Sequence, residues 1–414
     1  MLILYRFGIW FYWLTIRLIS PFHSKARKFK EGRVNWKSTL TELFQDQQSD
    51  VVWYHAASLG EFEQGRPVME ALKQAKPHVK IFLTFFSPSG YEIRKNYEHA
   101  DWVFYLPLDS PKNAEFLIKT VKPKLAVFIK YEFWYYYLQA LGSHNIPTLM
   151  ISCIFRSSQI YFKPKGKFFL PILQGIEHYF MQDENSHLLA KQIGIDQSTI
   201  AGDTRFDRVI EIAQGAKEIE IIEKFKGSER LMILGSTWPS DIQVLEAFIN
   251  LNQDKVKFAI APHNIGESDV DALLKVWPNA IKFSESENAD LISSRIIIIN
   301  NMGMLSSLYR YGEFAFIGGA FRGALHNTLE AAVYGIPVFF GEHEKNQKFK
   351  EAIGLVEAGG GFTFSSTDEL IAKFNELLED ETEYNRMSQV SGKFVESNSG
   401  ATPIIVEKML NILG

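Results

Sequence analysis

The sequence predicts an α/β protein built from two doubly wound, Rossmann-like domains. From Asp50 onward, short apolar runs dense in Val, Ile, Phe and Tyr alternate with longer amphipathic stretches, a pattern typical of buried parallel strands joined by helices. The alternation stops in the polar, charged stretch 213–229 and then resumes. A chain of 414 residues also exceeds what one hydrophobic core usually organises. We therefore expect one domain on each side of that stretch.

The apolar runs give the predicted strands in chain order. They are DVVWYHAA, KIFLTFFS, WVFYLPL, KLAVFIK, PTLMISC and HYFMQD in the first half, then RLMILGST, VKFAIAPH, RIIIINN, FAFIGG and PVFFG in the second. The predicted organisation is an amino-terminal segment 1–33, a first domain 34–212, a linker 213–229 and a second domain 230–414, whose last helix packs back toward the first domain. Ligands of doubly wound sheets bind at the carboxyl ends of the strands, so we expect the two domains to face a central cleft.

The composition excludes some functional classes. The formal net charge is −4, from 44 Lys and Arg against 48 Asp and Glu, so the chain is not expected to bind nucleic acid through bulk positive charge. Its one cysteine, Cys153, cannot form an intrachain disulfide or a thiolate zinc site, which favours a reducing, cytosolic environment. Cys153 lies in the apolar run PTLMISCIF, and we expect an inert buried thiol rather than a nucleophile.

The first 20 residues, MLILYRFGIWFYWLTIRLIS, predict a membrane-associated helix. Arg6 and Arg17 interrupt this segment, whose apolar part falls short of the about 20 residues that span a bilayer, so a helix lying in the interface is favoured. The basic segment His23–Arg33 would meet anionic headgroups and keeps the rest of the chain cytoplasmic. A single-pass anchor, a cleaved signal and an ordinary docking helix remain alternatives, although no small-residue cleavage site follows.

The first predicted strand runs directly into HAASLGEFEQGRP. The small residues Ala57, Ser58 and Gly60 allow a close turn, after which Glu61 stands at the start of a helix. A carboxylate there could accept the proton of an attacking hydroxyl. The alternative is that Glu61 only stabilises the helix amino terminus, as acidic residues in first turns do.

In the second half, a strand ending at Gly318-Gly319 leads through a glycine-containing loop to a helix predicted to open near His326-Asn327. Backbone N–H groups and a helix dipole make such a turn a candidate phosphate cradle. Glu330, one turn further, could bind the hydroxyls of a ribose. The alternative is that these glycines are ordinary turn residues and Glu330 a surface acid.

Two further strand ends of the second half carry polar groups. Ser236 and Thr237, in GSTWPSD, are short hydroxyl donors where a phosphate or a sugar carboxylate would lie. The following strand ends in APHN, which places Pro262 and His263 at the same rim. A purely structural histidine is an equally good interpretation of His263.

Taken together, these motifs resemble those of the bacterial Kdo transferases, which attach 3-deoxy-D-manno-octulosonic acid (Kdo) from CMP-Kdo to a lipid A precursor. HAASLGEFEQGRP looks like the signature around that family's catalytic glutamate, KYEFW like its second acidic segment and GDTRFD like its GNLKFD motif. GSTW, APH and the segment GG followed by HNTLEAAVYGIPVFFGEH match its donor-site segments in order and spacing.

The resemblance implies the GT-B architecture and a role for each matching residue. Glu61 would be the general base and Glu132 a supporting carboxylate on the acceptor side. The predicted acceptor-binding residues are Ser58, Gly60, Arg66, Glu132, Arg156, Lys163 and Lys165. The predicted donor-binding residues are Ser236, Thr237, Pro262, His263, Gly318, Gly319, His326, Asn327 and Glu330. The implied location is the cytoplasmic face of the inner membrane.

The chain also departs from the family pattern. Pro262-His263-Asn264 stands where many members have Pro-Arg-His, so the group that meets the donor phosphate or base is left open. Ala331 replaces a frequent proline, Ala324 interrupts a commoner Gly-Gly-His, and Arg205 replaces the lysine of GNLKFD. A cradle made of backbone amides tolerates such changes in side chains.

The basic segment Ile154–Phe169 offers Arg156, Lys163, Lys165 and Lys167 among aromatic residues, as a site for lipid phosphates or as a solvated loop. No acidic cluster has metal-ligand spacing, so we expect no metal and no cofactor beside the donor substrate CMP-Kdo. Two alternatives remain: another enzyme of this architecture, such as a nucleotide-sugar 2-epimerase, and a non-catalytic nucleotide-sugar-binding protein.

Overall fold

The computed structural model describes the backbone of residues 1–414 and every side chain except that of residue 288. The strands are β1 (Val51–Ala56), β2 (Lys80–Phe85), β3 (Trp102–Tyr105), β4 (Leu125–Ile129), β5 (Thr148–Cys153), β6 (His178–Met181), β7 (Ser198–Ile200), β8 (Leu231–Thr237), β9 (Lys257–Pro262), β10 (Ile281–Lys282), β11 (Ile296–Ile298), β12 (Phe314–Ile317), β13 (Val338–Gly341) and β14 (Gly361–Phe364).

The helices alternate with these strands. They are α1 (Leu2–Ile19), α2 (Ser24–Glu31), α3 (Trp36–Phe44), α4 (Leu59–Ala75), α5 (Pro88–Arg94), α6 (Pro111–Val121), α7 (Tyr135–Ser143), α8 (Leu170–Gln174), α9 (Glu184–Gln192), α10 (Thr204–Gln214), α11 (Glu220–Lys226), α12 (Pro239–Asn252), α13 (Glu267–Val276), α14 (Leu305–Leu308), α15 (Leu329–Ala332), α16 (Lys350–Ala358), α17 (Thr367–Glu379), α18 (Glu381–Ser397) and α19 (Ala401–Leu413).

The chain divides into two compact units. The first comprises Met1–Asp207 and Ser399–Gly414, and the second comprises Arg208–Asn398. The predicted linker 213–229 contains α11 and is part of the second unit, whereas the last helix, α19, is part of the first.

Each unit contains one parallel seven-stranded sheet, in the order β3-β2-β1-β4-β5-β6-β7 for the first and β10-β11-β9-β8-β12-β13-β14 for the second. The prediction of two doubly wound α/β domains is confirmed. Three strands escaped the sequence analysis, β7, β10 and β14, with three, two and four residues. All three are edge strands, which natural sheets keep short, so they leave little hydrophobic pattern in the sequence.

Side chains of the first sheet alternate between two hydrophobic cores. Trp53 packs with Phe82 and Phe128 on one face, whereas the neighbouring Tyr54 belongs to the core on the other face. The α19 residue Met409 belongs to that second core, and its sulfur accepts a hydrogen bond from the Tyr54 hydroxyl at 3.7 Å. Cys153 is fully buried, as predicted, and burial raises the pKa of its thiol.

Each sheet has one switch point, where the chain reverses its direction of strand addition. In the first unit β1 lies between β2 and β4, and in the second unit β8 lies between β9 and β12. The loops that leave two such neighbouring strands diverge, which opens a crevice at the carboxyl ends of the strands. Functional side chains are therefore expected among the residues after β1, β4, β8 and β12.

The first 20 residues form the predicted apolar helix. It is the one helix of the described chain that is long and apolar enough to cross a membrane, and none of its residues is buried. One side packs on the first unit, where the Tyr5 hydroxyl donates to Asp109 at 2.5 Å and the Arg6 guanidinium to the Tyr136 hydroxyl at 2.5 Å. The other side is apolar and exposed, with Ile3 80% and Phe7 58% accessible.

Candidate functional site: two strand-end constellations

Glu61 lies in the first turn of α4, directly after β1. Ser58 precedes the helix with extended backbone, and its hydroxyl donates a hydrogen bond to the Glu61 carboxylate. A side chain at the exposed Gly60 would meet only the Ser58 hydroxyl, at 3.9 Å, so the surroundings of the pair are open. Glu61 is thus a half-buried carboxylate that Ser58 orients.

Glu132 follows β4, the strand beside β1, so the switch point brings it together with Glu61. Its side chain is 14% exposed. Burial, and next the negative charge of Glu61, raise the pKa of Glu132 to about 7. Near neutral pH Glu132 is therefore protonated about half of the time, which makes it a possible hydrogen-bond donor beside Glu61.

His55, the neighbour of this pair, was not singled out from the sequence. Its Nε2 lies 4.0 Å from the Glu132 carboxylate but accepts a hydrogen bond from the Trp134 indole at 3.0 Å. Because an indole N–H only donates, this nitrogen carries no proton, and Nδ1 donates to the Thr84 hydroxyl at 2.9 Å. Complete burial lowers the pKa of His55 to about 3. His55 is thus neutral and does not compensate the charge of Glu132.

Of the predicted acceptor-side cations, Arg156 lies near the carboxylates. Burial and Glu61 raise the pKa of Tyr131, Arg156 lowers it, and Glu132 raises it, so the three charges share one neighbourhood. The Arg156 side chain is exposed and its backbone N–H donates to Gln159 at 2.9 Å.

Lys163, Lys165 and Lys167 are exposed along two 3-10 turns, Ile160–Phe162 and Pro164–Phe169. Aromatic residues before them in the chain pack together: the Phe133 ring centroid is 5.0 Å from that of Tyr161 and 5.8 Å from that of Phe155. Phe169 also packs edge-on against Tyr5 of α1 at 5.9 Å. The basic residues therefore lie on a surface adjoining the amino-terminal helix.

Arg66 is placed differently. Its guanidinium donates to Glu70 at 2.7 Å and lies 3.8 Å from Glu63, so it belongs to an ion-pair network along α4. Five residues of helix rotate it about 140° away from Glu61. The structure therefore does not bring Arg66 together with the carboxylate pair.

Residues of the motif GDTRFD form hydrogen bonds with α4 and α19 of the first unit. The Asp203 carboxylate accepts hydrogen bonds from Gln64 of α4 at 3.4 Å and from Arg205 at 2.7 Å. Asp207 accepts from the backbone N–H groups of Gly400 at 2.5 Å and Thr402 at 2.7 Å, so it caps α19. This arrangement is a structural one.

The second unit brings Ser236 and Gly318 together at its own switch point. A Cβ at Gly318 would come within 2.3 Å of the Ser236 carbonyl oxygen, so only glycine fits there. Gly319 has φ of 86° and Ser236 φ of 54°, a left-handed conformation that is strained for serine. Asp241 holds both loops, since its carboxylate accepts from the backbone N–H groups of Trp238 at 2.8 Å and Gly319 at 2.9 Å.

An aromatic stack stands beside these loops. The His263 ring lies on Trp238 with centroids 4.0 Å apart, and His326 is 4.8 Å from His263. The Trp238 indole donates to His326 Nε2 at 3.2 Å, and burial followed by the charge of neighbouring His263 lowers the pKa of His326 to about 4. Burial, and next the charge of Arg322, lower the pKa of His263. Both histidines are therefore neutral near pH 7.

Arg322 is the cation of this stack. Its guanidinium carbon lies 4.2 Å from the Trp238 ring centroid, a cation–π geometry, and the residue is exposed. It ends the 3-10 turn Ala320–Arg322 of the loop after β12. Arg322, Trp238 and Asp241 were not predicted from the sequence as site residues. Trp238 and Asp241 could have been found, because both belong to the motif GSTWPSD. Arg322 is recognisable only once β8 and β12 are paired.

The helix predicted near His326-Asn327 is shorter than expected. It runs only from Leu329 to Ala332, because the chain must reach β13 through the Gly335 turn, where φ is 67°. A four-residue helix has a small dipole, so that part of the predicted phosphate cradle is corrected. Asn327 Nδ2 donates to Glu330 at 3.2 Å, and the side-chain Oδ1 of Asn327 accepts from the Leu329 N–H at 3.1 Å.

Several buried polar atoms near these loops have no hydrogen-bond partner in the described structure. They are the hydroxyls of Thr237 and Thr328, Asp241 Oδ1 and Asn346 Oδ1. The Asn346 amide donates to the Ala320 carbonyl at 3.3 Å, which fixes it to the turn that carries Arg322. Buried polar groups of this kind are usually satisfied by water or a ligand. Pro262 ends β9 and is half-buried.

Comparisons with known proteins agree with the predicted resemblance. Residues 32–208 match the family model described as 3-deoxy-D-manno-octulosonic-acid transferase (kdotransferase). This part of the chain is therefore similar to the Kdo transferases. The chain is 28% identical over 333 residues to a 3-deoxy-D-manno-octulosonic acid transferase of Aquifex aeolicus, covering 79% of the chain and 86% of that relative. It is 26% identical over 375 residues to that of Haemophilus influenzae, covering 87% and 86%.

The resemblance to Kdo transferases is thus confirmed over most of the chain, and the chain is a glycosyltransferase. Solved structures agree on the fold: a UDP-GlcNAc 2-epimerase from Neisseria meningitidis has a TM-score of 0.61 at 16% identity and covers 87% of the chain and 100% of that protein. That likeness places the chain in the GT-B architecture and carries no information on its substrate.

No group of three or more His, Cys, Asp or Glu side chains in the described part of the chain could hold a metal ion. Metal-independent donor binding stays a prediction.

Proposed function

We propose that this glycosyltransferase transfers Kdo from CMP-Kdo to a hydroxyl of a lipid A precursor, with inversion at the anomeric carbon. The observation that carries the proposal is the carboxylate pair at the first switch point, Glu61 oriented by Ser58 and Glu132 with a raised pKa, inside the part of the chain that is similar to the Kdo transferases. A glycosyl acceptor hydroxyl must lose a proton as it attacks, and a positioned carboxylate accepts that proton.

In this mechanism Glu61 takes the proton of the acceptor hydroxyl while the oxygen forms a bond to the anomeric carbon of Kdo. The bond between that carbon and the CMP phosphate oxygen breaks on the opposite face, and CMP leaves with the electron pair. Because CMP is a good leaving group, alignment and charge stabilisation matter more than acid assistance. Glu132 positions the acceptor and, when protonated, donates a hydrogen bond to one of its oxygens.

The second unit would bind the donor. Gly318, Gly319 and Ser236 allow a close backbone approach, and the Thr237 hydroxyl supplies a buried donor. We propose that Arg322 provides the positive charge that Pro-Arg-His provides elsewhere in the family, because the neighbouring histidines are neutral. Glu330 would bind the ribose, and no metal ion or further cofactor is required.

The exposed apolar side of α1 and the basic residues Arg156, Lys163 and Lys165 support a lipid acceptor at an anionic membrane surface. We therefore propose a location at the cytoplasmic face of the inner membrane. The apolar helix lies against the first unit, which supports interfacial attachment rather than a crossing.

The test is direct. Incubation of the full chain with CMP-Kdo and a tetra-acylated lipid A precursor should increase the mass of the lipid by one or more Kdo units and release CMP, with EDTA present or absent. An epimerase would convert a nucleotide sugar without lipid, and a binding protein would leave both substrates unchanged. Either result would contradict the proposal.

A further inference from the structure

Helices α1 and α2 and the loop after β2 enclose a groove of about 330 Å³. The groove is largely apolar, and its main lining residues are Tyr12, Ile16, Ile19, Ala26, Phe29 and Phe86. His23 and Lys25 are the basic groups of its lining. The sequence predicts contact of the basic segment His23–Arg33 with headgroups, but it does not predict a groove here.

The walls of the groove are held in place by Arg33. Its buried guanidinium donates to the carbonyl oxygens of Phe29 at 2.9 Å and Phe86 at 2.8 Å and lies 3.6 Å from the Phe29 ring centroid. The Phe29 and Phe86 rings pack edge to face at 5.2 Å. Because one buried cation fixes both walls, the groove is preformed rather than an accidental gap between mobile helices.

The surroundings of the groove fit a lipid. Ile19 at its rim is 43% exposed, and next to it Leu18 is 66% and Phe22 91% exposed, so the apolar lining continues onto an apolar surface. The adjoining α2, SKARKFKE, is strongly basic. An apolar channel opening between exposed apolar residues and beside Lys and Arg side chains matches an acyl chain with an anionic headgroup.

The groove is also connected to the carboxylate site by backbone. The Phe86 N–H donates to the Ala56 carbonyl at 3.4 Å and the Ser87 N–H to the Ala57 carbonyl at 2.8 Å, directly before Ser58. The Phe86 ring is 4.5 Å from Trp134, in the segment of Glu132. One residue thus forms the wall of the groove and contacts the two loops that carry the carboxylates.

We propose that this groove binds one acyl chain of the phosphorylated glycolipid acceptor and so positions its headgroup hydroxyl at Glu61. The inference rests on the proposed function for the identity of the acceptor. Binding of an acyl chain in the groove is testable without any transfer reaction, so the two proposals can fail separately.

The first test fills the groove. Ala26→Phe adds a ring inside it, and Leu4→Phe, on the exposed side of α1, is the matched control. With an acylated acceptor, Ala26→Phe should raise the KM about tenfold, the factor expected when contacts to about two methylene groups are lost. With the same phosphorylated disaccharide lacking acyl chains, its KM should equal that of the wild type. An equal effect on both acceptors, or none on either, overturns the proposal.

The second test needs no activity and also covers the case in which Ala26→Phe fails to fold. The wild-type chain, in vesicles containing a phosphatidic acid with a diazirine in its acyl chain, is irradiated and digested. Labelling should fall on the peptides that contain Ile16, Phe29 or Phe86. Labelling confined to the exposed Ile3, Phe7 and Phe11 would show that lipid reaches only the outside of α1 and would overturn the groove assignment.

Discussion

The two switch points use the same topology for opposite chemistry. In the first unit two acidic side chains share a partly buried site with a neutral histidine, and burial, followed by the charge of Glu61, raises the pKa of Glu132 to about 7. In the second unit the histidines are also neutral, but the exposed charge is Arg322 and the backbone is opened by Gly318 and Gly319. The first constellation is therefore suited to accept a proton and the second to bind an anion.

The largest effect should come from the proposed base. Glu61→Gln keeps the hydrogen bond to Ser58 but cannot take a proton, so kcat for transfer should fall about 10³-fold while CMP binding by calorimetry stays unchanged. Glu63→Gln, on the same helix and paired with Arg94 at 2.7 Å, is the control and should keep most of the activity. Transfer at the wild-type rate in Glu61→Gln would show that Glu61 is not the base.

The next largest effect is the one of Glu132 on the pH dependence of stability. The pKa of Glu132 is raised in the folded state. The stability that this residue contributes is therefore fully present at a pH below the ordinary pKa of a glutamate, and it is lost as the pH rises through about 7. Glu132→Gln removes that dependence. Between about pH 5 and pH 8 the variant should gain about 3 kcal/mol in free energy of unfolding relative to the wild type, measured by urea denaturation. If the difference in free energy of unfolding between the variant and the wild type stayed the same across this range, the site would not disfavour the charged form of Glu132.

A substitution at Arg322 tests whether the second unit binds the anionic donor. Arg322→Ala should raise the Kd for CMP about tenfold or more, the loss typical of a charge-assisted hydrogen bond, without changing the KM for the acceptor. Arg310→Ala, an exposed arginine of the same unit whose guanidinium donates to the Ala216 carbonyl, should leave CMP binding unchanged. If the two variants behaved alike, the charge of this stack would have no part in donor binding.

Charge reversal at the acceptor surface should have a smaller effect. Arg156→Glu combined with Lys165→Glu should raise the KM for the lipid about tenfold and leave the KM for CMP-Kdo unaltered, because the change repels lipid phosphates. Reversal of the exposed Lys95 and Lys119 provides the control. Equal changes in both KM values would speak against an acceptor role.

The smallest effect should follow Asp207→Ala. An acidic residue of the first unit is not automatically part of the proton chemistry, and Asp207 caps α19 through two backbone N–H groups. The variant should lose about 1 kcal/mol of stability in thermal unfolding and keep the kinetic constants of the wild type. A selective loss of kcat would show that Asp207 belongs to the active site.

The sequence was sufficient for the sheets and for the loops that carry chemistry, because buried parallel strands leave long apolar runs and functional side chains follow them directly. Glu61 and Ser236 could be located in this way. His55 and Arg322 could not, because their roles depend on neighbours that are distant in sequence: Trp134 fixes the tautomer of His55, and Trp238 supports the guanidinium of Arg322. The helix at Leu329 was placed too early because Asn327 and Thr328 resemble a helix start, whereas the turn at Gly335 limits the helix to four residues.

The stereochemistry of the product shows whether Glu61 acts as the base of a direct displacement. If Glu61 deprotonates the acceptor hydroxyl and that oxygen displaces CMP in a single step, NMR of the isolated glycolipid should show a Kdo linkage with the anomeric configuration opposite to that in CMP-Kdo. A linkage with the same configuration as the donor would contradict direct displacement and the role of Glu61 as its base.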